Sequence, residues 1–72
     1  MSVDTSQFIG KLAWHFLGHE LPLDILQSAN GYYIGTIENN EPVSRESVEY
    51  FLSHADAETA IALGTWTQRN AP

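Results

Sequence analysis

The chain has 72 residues, no cysteine, and nine acidic against three basic residues, for a net charge of −6. A chain of this size buries only about 60% of its unfolded surface, which leaves room for one core and excludes two, so 1–72 reads as a single small domain. The missing cysteines exclude a disulfide framework and a thiolate site, and the acidic balance opposes binding to nucleic-acid phosphates while favouring a basic partner.

The first segment has helical periodicity: Phe8, Ile9, Leu12, Ala13, Phe16 and Leu17 fall on one half of a 3.6-residue wheel, with Lys11, Trp14 and His15 off it. Asp4 with Gln7 three residues on forms a capping box, and Val3 against Phe8 forms a hydrophobic staple. Gly18 suits the left-handed position that ends a helix.

Beyond Pro22 the period changes to alternation, with Asn30-Gly31 as its pivot. That dipeptide between two extended runs predicts a hairpin with a type I′ turn, because both central positions need positive φ. A two-residue loop at Asn30-Gly31 would set Ala29 opposite Tyr32, Gln27 opposite Ile34 and Ile25 opposite Thr36. Ile25, Ala29, Tyr32 and Ile34 then form the core face, and Tyr33, Ile37 and Leu26 point the other way. Glu38 to Pro42 is a polar second turn ended by proline.

Val43 to Phe51 admits two readings. Val48, Phe51, Leu52 and Ala55 have helical spacing, with Ser44 as a cap, but Val48-Glu49-Tyr50-Phe51 is β-branched and aromatic, and Ser53-His54-Ala55-Asp56 opens a new capping box directly afterwards. A third strand is therefore expected. The alanine-rich run from His54 to Leu63 predicts a second helix, ended by Gly64. Residues 65–72, containing Trp66, form a tail that stays flexible, adds an edge strand or folds over the core. The predicted class is α+β, a three-stranded antiparallel meander in the order α-β-β-β-α, with its apolar faces covered by helices.

Few residues carry chemistry. His15 and His19 have the spacing of two ligands on one helical face, with Glu20 or Asp24 as a third, but Gly18 interrupts that helix and no second ligand pair follows, so solvated histidines are expected and no metal or cofactor. No Gly-x-Ser-x-Gly elbow or phosphate-cradling glycine loop is present, and Ser44-Arg45-Glu46-Ser47 reads as a solvated face, so no catalytic residue is assigned and the chain is read as a non-enzyme. The N-terminus lacks the charged and apolar regions of a signal peptide, and no apolar run nears the ~20 residues of a membrane span, giving a cytoplasmic protein with no membrane contact.

The aromatic residues are more informative. Tyr32, Tyr33, Tyr50 and Phe51 lie on adjacent predicted strands and must divide between core and surface; Tyr33, Tyr50, Trp14 and Trp66 are the candidates for an interaction surface. Arg45 and Arg69 are two of three cations, suited to an anion or to pairing with Glu38, Glu46 or Glu49. The expected function is a non-catalytic protein-protein interaction module, acting as a homodimer, an adaptor or a small inhibitor. The alternatives are a small-ligand site anchored by Arg45 and tyrosine hydroxyls, and an acidic mimic of nucleic acid using Glu38, Glu41, Glu46, Glu49, Asp56 and Glu58. A nucleic-acid binder stacking bases on Tyr32, Tyr33 and Trp66 is disfavoured by charge.

Gly31-Tyr32-Tyr33-Ile34-Gly35-Thr36, Ser44-Arg45-Glu46-Ser47-Val48-Glu49-Tyr50-Phe51 and Trp66-Thr67-Gln68-Arg69 together resemble small uncharacterised proteobacterial proteins, some near mobile elements. The resemblance covers roughly the C-terminal half and transfers no activity. It implies a bacterial protein with extended structure from Ser44 to Phe51.

Overall fold

A computed structural model describes residues 9–71. Its elements are helix α1 (Lys11–Leu17), strands β1 (Asp24–Ser28), β2 (Gly31–Glu38) and β3 (Glu41–Arg45), and helix α2 (His54–Leu63). The three strands form one antiparallel sheet in the order β1-β2-β3, the α+β meander that the sequence predicts. Among the described residues, no helix is long and apolar enough to cross a membrane.

Local signals place the helix ends. Gly18 and Gly64 end α1 and α2 in the left-handed region, at φ 71° and 66°. The Ser53 hydroxyl accepts the Asp56 amide at 3.1 Å, which makes it the N-cap of α2. The start of α1 differs from its prediction. Ile9 is extended, bridged to Pro22, and the Gly10 amide donates to the Leu21 carbonyl, so the helix begins only at Lys11. The Asp4–Gln7 box and the Val3 staple lie outside the described residues.

The hairpin register is shifted by two residues from the predicted one. Ile25 pairs with Ile34, Gln27 with Tyr32 and Ser28 with Gly31, so Ala29 and Asn30 form the loop and Ala29 is exposed rather than in the core. Gly31 opens β2 at φ 124°, and a Cβ there would lie 2.8 Å from the Phe51 carbonyl oxygen. The type I′ geometry sits in the second turn instead, where Asn39 and Asn40 have φ of 53° and 65°. Apart from Ala29, a slip of two keeps the strand side chains on their predicted faces, because the strand period is two.

Strand β3 is shorter than the predicted Val43–Phe51 strand and begins earlier, at Glu41. A bulge displaces its register between Thr36 and Ile37, beside Pro42, on an edge strand where a missing amide costs no ladder bond. After Arg45 the chain still follows β2, but irregularly: the Glu46 and Ser47 amides both donate to the Ile34 carbonyl, and Phe51 bridges Tyr32. The extra residues bulge outward and turn Glu46 toward α1. The tail lies alongside this bulge, with Gln68 bridged to Ser47 and the Arg69 amide donating to the Glu46 carbonyl.

Both helices touch the sheet face of Tyr32, Ile34 and Thr36. Gly10, at the head of α1, meets the Thr36 methyl, and the His54 ring of α2 packs edge-on against Tyr32, with 6.0 Å between ring centroids. Leu12, Ala13, Ile34, Ala57 and Ala60 form the buried apolar part there. Thr36, Glu46 and Ser47 are fully buried beside them, so the centre of this small core is polar and must be satisfied by hydrogen bonds.

Candidate functional site

Glu46 is the hub of that polar centre. Its carboxylate accepts the Leu12 amide at 2.9 Å and the Ala13 amide at 3.2 Å, which are first-turn donors of α1. The Ser44 hydroxyl, itself bonded to Thr36, and the Gln68 side-chain amide at 2.9 Å complete its shell. Gly10 cannot cap with a side chain, and a Cβ there would sit 3.0 Å from the carboxylate, so a residue 34 positions beyond Leu12 supplies the cap. These hydrogen bonds tie α1, β3 and the tail to one buried side chain.

On the opposite sheet face, three of the predicted interaction residues come together. The Tyr33 and Tyr50 rings meet edge to face, their centroids 6.1 Å apart. The Arg45 guanidinium lies 4.9 Å from the Tyr50 ring centroid, and its Nη1 donates to the Tyr50 hydroxyl. Tyr33 departs from expectation: it points to the predicted outer face yet is only 9% exposed. Gly35 leaves a hollow in the sheet that the Tyr33 ring fills, a Cβ at Gly35 being 3.1 Å from Tyr33 Cε2, and Tyr50 arrives from the outward bulge to pack on it.

The arginines also differ from their expected pairing. Arg69 Nη1 donates to the Arg45 carbonyl at 3.0 Å, and among the described residues neither guanidinium pairs with a carboxylate. Glu46 is turned inward, and both oxygens of Glu49 accept the Thr67 amide at 2.9 and 3.0 Å. Partial burial raises the Glu49 pKa, but hydrogen bonds from the Thr67 side chain and amide and from its own amide outweigh this and hold it below the ordinary value. For Tyr50 the Asn30 side-chain hydrogen bond, then that of Arg45, and the charges of Arg45 and Arg69 hold the phenol below its usual pKa.

Trp14 and Trp66 lie elsewhere. Trp14 is 52% exposed on α1, where Phe16 and Leu17, expected in the core, are 56% and 52% exposed. The late start of α1 leaves two turns whose inward face is filled by Leu12 and Ala13 alone. Grooves of about 420 and 680 Å³ flank this helix; Lys11 and His15 line both, joined by Trp14 and Glu20 in the first and by Phe16 and Arg69 in the second. Half-buried Trp66 lines a third groove, of about 330 Å³, against the end of α2.

The histidines are divided. His19 meets Glu38 at 3.0 Å and His54 meets Glu58 at 2.6 Å. Among the described residues, no three potential metal ligands gather. The exposed face of Phe16 and Leu17 was not legible in the sequence, because their helical spacing is that of core positions; the shortness of the helix decides the matter.

No protein-family model matches the chain, and comparison with curated proteins and with solved structures gives no match.

Proposed function

We propose that this domain is a non-catalytic protein-protein interaction module whose docking element is the exposed last turn of α1. The observation that carries this reading is the exposure of Trp14, Phe16 and Leu17 on a helix that buries only Leu12 and Ala13. Seven residues are too few for a helix to be stable alone, so α1 needs its apolar surface buried, and half of that surface faces outward.

The partner's chemistry follows from the surrounding charge. Whole-chain acidity favours a basic partner, but the groove beside Phe16 is lined by Lys11, His15 and Arg69. An apolar segment bearing carboxylates fits this groove better than a basic one. A second copy fits less well, since each brings a net charge of −6.

A fluorescein-labelled amphipathic peptide of leucine, phenylalanine and glutamate is the probe. It should bind the monomeric domain with a Kd on the order of 10 μM, and W14A and F16S should each weaken it at least about tenfold, or 1.4 kcal/mol, with an unchanged circular dichroism spectrum. Equal binding by a lysine-substituted peptide, or undiminished binding by both variants, would overturn the reading.

A further inference from the structure

We infer that Arg45 and Tyr50, on the sheet face opposite the helices, form together with Arg69 a binding site for a phosphate-class oxyanion. The argument begins with charge. Eight of the nine acidic residues fall within the described residues, yet neither arginine has a carboxylate partner there. Glu46 and Glu49, which follow Arg45 closely in sequence, spend their oxygens on other donors, chiefly the amides of Leu12, Ala13 and Thr67.

The guanidinium groups are nevertheless held in place. Arg45 is anchored by the Tyr50 hydroxyl and ring, and Arg69 by the Arg45 carbonyl, each through Nη1. Both arginine charges act on Tyr50, and holding two cations around one side chain is unfavourable unless an anion joins them. Arg45 Nε is also buried with no hydrogen-bond partner, the one such side-chain atom among the described residues. Buried donors are ordinarily satisfied, and an orphan within a guanidinium that has no carboxylate partner points to a bound group.

A planar guanidinium presents parallel N–H donors that match the oxygens of phosphate, and two of them suit a dianion better than a monoanion. The Tyr50 hydroxyl adds a further polar group at the same place. This site differs from the α1 surface in Arg45 and Tyr50 and shares with it only Arg69, which also lines the groove beside Phe16.

The test is a titration of ¹⁵N-labelled protein with sodium phosphate, against sodium chloride at matched ionic strength, following the backbone amides and the arginine Nε–H signals. Saturable shifts centred on Arg45, Tyr50 and Arg69, with a Kd on the order of 1 mM or tighter, are expected. R69Q should abolish them, R45K should weaken them by removing the fork while keeping the charge, and W14A should leave them intact. Should R45K fail to fold, Y50F and R69Q carry the same comparison. Phenyl phosphate alongside inorganic phosphate tells an ester-borne group from the free ion, binding by either supporting the site. Shifts that grow linearly and equally in chloride, saturation centred on Lys11 and His15 instead, or acetate binding as tightly as phosphate would each overturn the assignment.

Discussion

At the scale of single residues, Glu46 has the largest structural consequence. A carboxylate wholly removed from water must be compensated by donors, and Glu46 collects them from α1, from β3 through Ser44 and from the tail through Gln68. One side chain thereby ties three separate pieces of chain. E46Q keeps the volume but sets an NH₂ group against donors, leaving at least one buried N–H unsatisfied. A loss of about 2 kcal/mol is expected, with E46A costing about 3–5 kcal/mol. A domain of this size has only roughly 3–5 kcal/mol in all. Urea unfolding followed by circular dichroism should therefore show E46Q folded with a lowered midpoint and E46A largely unfolded in buffer; an E46A midpoint equal to that of the parent would remove Glu46 from this role.

At the scale of elements, the two hairpin turns contrast in how their glycine and asparagine residues are used. Asn30-Gly31 carries the stronger sequence signal, but Gly31 is needed where β2 passes the Phe51 carbonyl, so the loop moves back to Ala29-Asn30. Asn39-Asn40 takes the positive φ values instead, which asparagine tolerates and glycine adopts without a Cβ penalty. N40G should accordingly stabilise the domain by about 0.5–1 kcal/mol, and N40V should destabilise it by about 1–2 kcal/mol. Thermal melts of the pair decide this: a stabilising N40V would mean that the turn does not hold positive φ. The capping signals at Ser53, Gly18 and Gly64 were legible because each acts within one turn of its own helix. The cap of α1 was not, since its acceptor stands 34 residues beyond Leu12 and no local pattern connects Gly10 to Glu46. Tyr33 was misread for a related reason: alternation gave its face correctly, but its burial depends on the hollow at Gly35 and on Tyr50, which only the bulge after β3 brings over it.

At the scale of the whole molecule, the arrangement divides into a sheet held to α2 and a lightly attached α1. Strand β2 lies between both neighbours and against α2, with Ile34 and Thr36 wholly buried. Helix α1 contributes two buried side chains and hangs on the Glu46 carboxylate, the Gly10–Leu21 bond and its Gly18 end. Local opening is cheapest where few apolar contacts and few buried bonds must be broken. Native-state hydrogen exchange should therefore give the amides of Phe16 and Leu17 an opening free energy about 1–2 kcal/mol below that of Ile34. Binding of the acidic amphipathic peptide should narrow the gap, because a ligand that covers Trp14 and Phe16 stabilises only the closed helix. Phosphate should narrow it less, since its site rests on Arg45 and Tyr50 and shares only Arg69 with the groove beside Phe16. Uniform exchange across α1 and β2 would instead mean one cooperative unit, with the exposed apolar face belonging to a rigid surface rather than to a helix that its partner completes.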